Sequence, residues 1–538
     1  MTVGEGLGGG GGGGDGGDGG EGRHVALVGT GILVTRVLGY VRERVFAYYF
    51  GTSAAADAFR AALRIPNAIR NLLGEGTLSA SFIPVYAGLA TRGDAAAGAL
   101  ARAVLGLLLL GAGALAAIGI GLAPVIATAL APGFDPDTRR LTITLLRVLF
   151  PMSGLMVVSA WCLGVLNTHK RFFLPYAAPA LWNVAGIAAL LAAAAWLVAP
   201  ELPVETRLHR LALALAWGTV AGAVLQVAVQ LPACWRLLGG LAPRLSLAAP
   251  GVREVVTAWT PLVVGAGVAQ ISGLVDTILG SLLGAGGVAS LSYAQIVQVL
   301  PVSLFGVSVA AVALPDLSRA AVTVAPSEAL RARLAVAFRR VAFFVVPSAF
   351  AFTGLARVLV AALFQTGEFG SDDTDVVAGV LAAYGIGLLG AATVKLFSSG
   401  FYALRDTRTP VAVAVASLAL STGLAFALMR PLGAAGIALA SSIGALANMT
   451  VNLALLERRI GRVLGGVDAW LVAVSVLGAG AATGAGALAA GFGLAWTPVP
   501  LALLVCAIFG ITYFGVTGGL GHPDALRLWQ FLRGSRAS

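Results

Sequence analysis

The sequence predicts an all-α polytopic membrane protein of about 14 transmembrane helices, arranged as two pseudo-symmetric six-helix lobes followed by two C-terminal helices. Of its 538 residues, 58% are hydrophobic and only 11% are charged, whereas charged residues make up about 25% of an average soluble protein. The apolar residues form long runs, most of them longer than the roughly 20 residues with which one helix spans a bilayer. These runs are too continuous for the alternating pattern of a membrane β-barrel.

Glycine, proline and charged residues separate the apolar runs and define the predicted helices. These lie near residues 25–50, 54–90, 97–130, 140–166, 173–199, 208–238, 254–284, 288–318, 335–366, 374–404, 410–430, 433–457, 468–492 and 498–518. The predicted regions are a glycine-rich cytoplasmic tail (1–23), an N-lobe (24–240), a C-lobe (241–462), the last two helices (463–520) and a cytoplasmic C-terminal tail (521–538). The first tail has too few apolar residues to fold, so we expect it to be disordered.

Two prolines of the first half recur in the second half at one spacing. Pro301 follows Pro66 by 235 residues, and Pro410 follows Pro175 by the same distance. A repeat of six helices keeps both copies in the same orientation, because six is an even number. The pattern predicts two parallel bundles with a transport site between them.

Basic residues are distributed unequally between alternate connections. With the N-terminus in the cytoplasm, 21 lysines and arginines fall in the cytoplasmic connections and 5 in the opposite set. Because cytoplasmic loops carry the excess of basic residues, both termini are predicted to be cytoplasmic. The end of the bundle with the 21 basic residues is the predicted inner face, and the other end is the predicted outer face.

Nine basic residues remain inside the predicted spans, and six of them lie between residues 36 and 70. An arginine at the bilayer centre costs about 2.5–3.5 kcal/mol, so this group must face a protein interior or a wet cavity. At 100° per residue, one stripe of the second helix carries Asp57, Arg60, Arg64, Asn67 and Asn71. The stripe predicts a polar surface on an otherwise apolar helix.

The other charges of this segment need bends to join one site. Arg36 and Glu43 share a face of the first helix, but Arg42 reaches that face only if the helix bends at Gly39. Arg70 lies about 140° from Asp57 on a straight helix and needs a kink to join it, for which Pro66 is the candidate.

Two interpretations of these arginines are open. In the first, guanidinium groups in a cavity of low dielectric constant bind a phosphate or pyrophosphate through paired hydrogen bonds. In the second, the arginines pair with Glu43, Asp57 and Glu75, or extend to the membrane interface, and hold helices together. The first interpretation predicts an anionic substrate.

Other motifs argue against several functions. The sequence has no GxxxxGK[ST] phosphate loop and no continuous basic face for nucleic acid. Cys162, Cys234 and Cys506 have unrelated spacings, which do not match a metal site or a disulfide framework. We therefore predict neither an enzyme nor a resident cofactor.

One carboxylate, Asp276, lies midway along the seventh predicted helix. An unpaired carboxylate at such a depth is normally protonated or bound to a cation. The candidate sodium site comprises Asp276, Ser417, Ser421 and either Ser441 or Ser442. Pairing with Lys395, or a neutral carboxyl group, are the alternatives.

Several motifs occur together in one known family. They are 35–43 (TRVLGYVRE), 56–59 (ADAF), 64–67 (RIPN) with Arg70, and 74–84 (GEGTLSASFIP). Shorter matches follow in order at 131–134, 166–168, 270–272, 314–315, 363–365 and 400–402, the last with Asp406 and 409–410. With these motifs the chain resembles the MurJ (MviN) lipid II flippases of the multidrug/oligosaccharidyl-lipid/polysaccharide exporter superfamily. The last two helices match only in hydrophobicity and position.

The resemblance implies a flippase of the bacterial cytoplasmic membrane that serves peptidoglycan synthesis. Its substrate would be lipid II, the undecaprenyl-pyrophosphate-linked disaccharide-pentapeptide, moved from the inner to the outer leaflet. The resemblance also implies a V-shaped cavity, a groove for the lipid tail at the last two helices, Na⁺ near Asp276 as a coupling ion, and other cell-wall synthesis proteins as partners. It implies roles for Arg36, Arg42, Arg70 and Asp57; the polar stripe and nearby acids add Arg64, Asn67, Glu43 and Glu75 to the predicted substrate-binding residues.

One departure from the family pattern concerns substrate identity. The family commonly has an arginine, within an Ala-Asp-Arg motif, where this chain has Ile296. Either the N-lobe arginines suffice, or Gln295 and Gln298 add hydrogen bonds, or the substrate differs from lipid II. The alternatives are a flippase of the same fold for another polyprenyl-linked glycan, a drug exporter, and a membrane-embedded polyprenyl-phosphate glycosyltransferase. A drug exporter should prefer an acidic, aromatic cavity lining, and the surplus of arginine argues against it. The glycosyltransferase would need a catalytic carboxylate, usually near a membrane face, and a sizeable extramembrane or re-entrant region, and neither is found in the sequence.

Overall fold

The computed structural model describes residues 18–74, 76–91, 93–199, 201–320, 326–493 and 496–534. Within these ranges the chain is helical, with no strand beyond an isolated antiparallel bridge between Thr366 and Phe369. The predicted all-α class is therefore confirmed. Most of the predicted tail 1–23 lies outside the described residues, and residues 18–23 belong to the first helix.

The helices follow the order predicted for two lobes and a C-terminal pair. The first lobe contains α1 (Asp18–Phe50), α2 (Ala54–Leu73), α3 (Thr77–Ala90), α4 (Asp94–Gly121), α5 (Ala123–Leu130), α6 (Pro136–Thr168), α7 (Phe173–Ala177), α8 (Pro179–Trp196) and α9 (Val204–Leu238). The second lobe contains α10 (Val252–Ser281), α11 (Gly287–Pro301), a π-helical turn (Val302–Val307), α12 (Ser308–Ala320), α13 (Pro326–Gly354), α14 (Ala356–Phe364), α15 (Ser371–Ile386), α16 (Leu388–Ala403) and α17 (Arg408–Ile460). The remainder is α18 (Gly466–Phe492), α19 (Pro498–Gly519) and α20 (Pro523–Gly534).

Several helices that were predicted to be continuous are interrupted. The predicted helix 54–90 ends at Leu73 and resumes at Thr77, and Gly76 between them has a φ of 86°, which favours glycine. The predicted helix 97–130 divides at Leu122, because Pro124 in the first turn of α5 has no N–H to continue α4. The predicted helix 335–366 divides at Leu355.

The number of membrane spans is only partly determined by helix length. Counted across gentle bends, nine helices of the described residues are long and apolar enough to cross a membrane, and α15 with α16, which meet at 41°, makes a tenth. One of the nine, α17, has 53 residues and leaves helical geometry at Gly433 (φ 57°, ψ −137°). A straight helix of that length would extend about 80 Å, far beyond a hydrocarbon layer of about 30 Å, so α17 is a hairpin of two spans. The total of fourteen spans stays a prediction.

The 235-residue repeat is present in the backbone as well as in the prolines. Together α15 and α16 cover 371–403, which lies 235 residues after α6. Among the described residues, the two non-glycine residues with positive φ are Lys170 (57°) and Arg405 (60°), which also differ by 235. The left-handed glycines Gly51 and Gly286 show the same spacing. The two lobes therefore share turn geometry in addition to helix order.

An aromatic cluster joins the two lobes at the predicted outer face. The ring centroid of Tyr293 lies 5.0 Å from that of Phe364 and 5.1 Å from that of Phe369. From the first lobe, Phe46 approaches the same ring at 6.2 Å, and the Tyr293 hydroxyl donates a 3.1 Å hydrogen bond to the Gly51 carbonyl. These contacts join the two lobes at this end.

Candidate functional site

A polar cavity of about 490 Å³ lies between the two lobes. Helix α2 of the first lobe forms one wall, and helices α10, α11, α15, α16 and α17 of the second lobe form the other. Its polar lining residues are Arg64, Asn67, Arg70, Asn71, Gln270, Ser272, Asp276, Gln295, Gln298, Tyr384, Ser441 and Ser442. Both arginines come from α2, whereas the second lobe contributes amides, hydroxyls and one carboxylate.

Helix α2 presents its polar residues to the cavity because they recur every three or four positions. The helix begins after Ser53, whose hydroxyl oxygen accepts a hydrogen bond from the backbone N–H of Ala56. Buried alanines on its other side allow close packing against α6. Arg64 and Arg70 both line the cavity, although Arg70 lies about 140° from Asp57 on a straight helix. Pro66, the predicted kink, lies between the two arginines within α2.

Arg64 connects the two walls of the cavity. Its Nε donates a 2.8 Å hydrogen bond to the Gly273 carbonyl, and its Nη2 lies 3.4 Å from Oε1 of Gln295. A Cβ at position 273 would lie 2.8 Å from Nη2, so a side chain there would displace the guanidinium from this position. Gln295 in turn donates to Asp276 Oδ2 (2.8 Å) and to the Tyr384 hydroxyl (3.0 Å). The hydrogen bonds of Gln295 are therefore used within the protein.

Arg70 and Asn67 have polar atoms without partners. The Nε atom of Arg70 and the Oδ1 atom of Asn67 are buried and make no hydrogen bond with any described residue. Next to them, Nδ2 of Asn71 is 3.5 Å from Oε1 of Gln270, at the limit of a hydrogen bond. Because burying a polar group without a partner is costly, this part of the cavity favours a ligand that supplies those hydrogen bonds.

Arg42, Glu43 and Arg60 form an ion-pair triad away from the cavity lining. Nη2 of Arg42 is 2.6 Å from Glu43 Oε1, and Nη2 of Arg60 contacts Glu43 Oε2. Arg42 also lies over the Trp182 ring at 4.4 Å, and Arg60 lies over the Phe46 ring at 4.3 Å. For Arg42, Glu43 and Arg60, the structure shows the helix-pairing arrangement that the sequence left open as the second interpretation.

The remaining predicted substrate-binding residues also lie outside the cavity lining. Asp57 is 1% exposed, and its carboxylate accepts hydrogen bonds from the backbone N–H groups of Gly286 and Ala289 at the start of α11. Arg36 is exposed, and no hydrogen bond or ion pair joins it to another described residue. Glu75 lies outside the described residues. Of the eight predicted residues, the structure thus brings Arg64, Asn67 and Arg70 together in the cavity.

Sequence relatives provide independent evidence. Residues 46–505 match the family described as "Lipid II flippase MurJ". The chain belongs to this family. It is 37% identical over 434 residues to the lipid II flippase MurJ of Burkholderia cenocepacia, covering 79% of this chain and 82% of that protein. A probable lipid II flippase MurJ of Rhizobium meliloti is 33% identical over 442 residues, covering 81% of this chain and 80% of that protein.

Solved structures show the same fold. A structure described as lipid II flippase MurJ in an inward closed conformation has a TM-score of 0.72 and 22% identity, covering 91% of this chain and 99% of that chain. An inward-facing multidrug resistance MATE transporter of the MOP superfamily has a TM-score of 0.63 and 18% identity, covering 78% of this chain and 94% of that chain. These likenesses support the predicted transporter architecture of two lobes.

The departure of this MurJ-family chain from the family's arginine is visible in the cavity. Ile296, at the position where the MurJ family commonly has arginine, is not among the residues that line it, while Gln295 and Gln298 are. The described lining of the second-lobe wall carries no cation. Among the described lining residues, positive charge therefore comes from α2 alone.

The candidate cation site is only partly assembled. Asp276 lines the cavity together with Ser441 and Ser442, but Ser417 and Ser421 are not among the lining residues. The Ser421 hydroxyl instead donates to the Leu418 carbonyl at 3.0 Å. The charge that faces Asp276 most directly is Arg64, and no ion pair with Lys395 occurs in the described part of the chain.

Three cavity residues, Gln270, Ser272 and Tyr384, had not been predicted as site residues. Each is a polar residue in an otherwise apolar predicted helix. That polarity was the available signal, but it does not tell which face of a helix meets the other lobe. Tyr384 lies at the end of α15, and the bend between α15 and α16 positions it beside Gln295.

Proposed function

We propose that this chain moves lipid II from the inner to the outer leaflet of the bacterial cytoplasmic membrane by alternating access. The observation that carries the proposal is the pair Arg64 and Arg70, which line a polar cavity between two repeated lobes. Pyrophosphate is the part of lipid II that two guanidinium groups recognise best, because their donors match its oxygens. Relatives of this chain are themselves named lipid II flippases.

The contacts of Arg64 suggest how binding and lobe movement are linked. Its guanidinium joins the first lobe to Gly273 and Gln295 of the second lobe. A pyrophosphate competes for the same donors, so its binding weakens this connection between the lobes. The outer end is closed by Asp57 and the start of α11, and its opening would release the substrate to the outer leaflet.

Orientation and energy coupling belong to the same proposal. We place both termini in the cytoplasm, on the strength of the 21 to 5 distribution of basic residues. An inside-negative potential would help an anion move outward, or would drive a cation such as Na⁺ inward to reset the empty carrier. Asp276 is the carboxylate at which such a cation would bind. No covalent chemistry is part of the cycle, and other cell-wall synthesis proteins are the expected partners.

The experiment is complementation of a bacterium that has been depleted of its own lipid II flippase, together with an assay of lipid II exposure at the outer leaflet. We expect the wild-type chain to restore growth and Arg70→Gln to fail at equal expression. Arg140→Gln is the matched control, because Arg140 is an exposed surface residue that pairs with Asp137. Growth of Arg70→Gln at the wild-type rate would remove Arg70 from the proposed site.

The loss of the family arginine at Ile296 favours one second candidate, a flippase of the same fold for another polyprenyl-pyrophosphate-linked glycan. It predicts that the wild-type chain fails to complement and yet binds a different lipid-linked sugar. Binding assays with purified protein and both lipids distinguish the two candidates. Transfer of sugar by the purified protein would instead indicate a glycosyltransferase.

A further inference from the structure

We propose that the second-lobe wall of the cavity binds the sugar that adjoins the pyrophosphate, with Gln298 as its main contact. This inference rests on the proposed function and assigns the two walls to different parts of one substrate. The cavity arginines lie on α2, while the facing wall offers amides and hydroxyls, among them Gln270, Gln298 and Ser441. Amides and hydroxyls both donate and accept hydrogen bonds, as sugar hydroxyl and acetamido groups require, whereas guanidinium groups only donate.

Gln298 is available for a ligand, and Gln295 is not. Gln295 donates to Asp276 and Tyr384 and accepts from Arg64, so its amide is already engaged. Gln298 is half-buried, lines the cavity, and makes no hydrogen bond with another described residue. Three positions separate the two glutamines, which places Gln298 one helical turn further along the same side of α11.

The register of α2 against α11 places Gln298 opposite the unpartnered part of α2. Both helices start at the predicted outer face and run in the same direction, and their contacts advance in step. Asp57 meets the start of α11, and Arg64, seven residues later, meets Gln295. One further turn along both helices brings Gln298 to the level of Asn67, whose buried Oδ1 has no partner. A ligand at this level therefore touches both walls.

The cavity narrows one helical turn beyond this level. There Nδ2 of Asn71 on one wall lies 3.5 Å from Oε1 of Gln270 on the other. The space beside an anion held by Arg70 is therefore short, and it suits the group linked directly to the pyrophosphate. On the side away from the undecaprenyl chain, that group in lipid II is the first sugar.

The test measures binding of three lipids to the purified full-length chain in lipid nanodiscs. The lipids are undecaprenyl pyrophosphate, the same lipid carrying the disaccharide with an amide in place of the peptide, and lipid II. For Gln298→Ala and Gln298→Leu we expect the affinity for both sugar-bearing lipids to fall about three- to tenfold, as expected for one or two neutral hydrogen bonds. The affinity for undecaprenyl pyrophosphate should change less than twofold. Gln530→Ala, at an exposed glutamine of α20, is the matched control and should change none of the three.

Each other outcome has a defined meaning. An equal loss for all three lipids would overturn the proposal, because Gln298 would then act on the pyrophosphate or on the shape of the cavity. A loss confined to lipid II would overturn it in favour of a peptide contact, and unchanged affinities would overturn it outright. If the wild-type chain binds none of the three lipids, the proposed function itself is wrong. Loss of all three in Arg70→Gln tests the proposed function without involving the sugar.

Discussion

The Asp57 carboxylate accepts a 2.6 Å hydrogen bond from the backbone N–H of Gly286, across the interface between the two lobes. Its other oxygen accepts a second hydrogen bond, also 2.6 Å, from the N–H of Ala289. Asp57 thus caps α11 at the end where free N–H groups and the helix dipole favour an anion. A residue of the predicted substrate stripe is here part of the closure at the predicted outer face.

Asp57→Asn tests this closure. The substitution keeps the shape but replaces one acceptor oxygen with an amide that faces a backbone N–H, so we expect the outer contact to weaken by about 1–3 kcal/mol. Val288, which is 3% exposed, lies beside this contact. In a background without the native cysteines, a Val288→Cys reporter should react faster with a membrane-impermeant maleimide when Asp57→Asn is present than when Asp57 is intact. Asp372→Asn, an exposed acid in the first turn of α15, is the control. Unchanged labelling would show that the closure does not depend on this carboxylate.

Glu43→Gln tests whether Glu43 is a structural residue. Its carboxylate lies between Arg42 and Arg60, and the side chains of Glu43 and Arg60 are 7% and 11% exposed. Removing the charge leaves a buried arginine uncompensated, which costs about 3–5 kcal/mol and should lower the Tm in detergent. Asp137→Asn, in an exposed pair with Arg140, should change stability by less than about 0.5 kcal/mol. An unchanged Tm with lost transport would return Glu43 to the substrate-binding residues.

The turn before α17 should contribute stability that depends on pH. Hydrogen bonds from the hydroxyl and backbone N–H of Thr409, and the ion pair with Arg459 at 2.6 Å, hold the pKa of Asp406 well below its ordinary value. Because folding favours the ionised form, this contribution is complete above the ordinary pKa of about 4 and is lost as the pH falls through the lower pKa of the folded state. The difference in Tm between wild type and Asp406→Asn should therefore be largest near neutral pH and narrow below about pH 4. A difference that stays constant from neutral to acidic pH would contradict this assignment.

A Na⁺ site at Asp276 makes a separate prediction. If the carboxylate binds Na⁺ with Ser441 or Ser442, NaCl should raise the Tm more than equal KCl, and Asp276→Asn should abolish the difference. Ser417→Ala and Ser421→Ala should have no effect on it, since neither serine lines the cavity. Equal effects of the two salts on the wild-type chain would reject the site.

The sequence predicted the parts of the site that depend on one helix. The spacing of Arg64 and Asn67 along α2 was sufficient to place both on a common polar face. The spacing was not sufficient to place Asp57. This residue lies on the same stripe, but it binds the start of α11 in the other lobe and does not line the cavity. The spacing also could not assign Arg42, whose partner is its neighbour Glu43 and whose guanidinium rests on Trp182 of α8. Helical periodicity gives a direction around one axis, and it does not tell which helix lies there.

By itself the sequence determined the all-α membrane class, the repeat and the concentration of arginine in the first two helices. These follow from transfer energies and helix geometry, which act on each segment separately. Only the tertiary structure decided which arginines are paired and which line a cavity. The partners of Arg64 are Gly273 and Gln295, more than 200 residues away, and Arg70 keeps a buried nitrogen without a partner. A buried charge is compensated by whatever the fold brings beside it, and that depends on the packing of all the helices together.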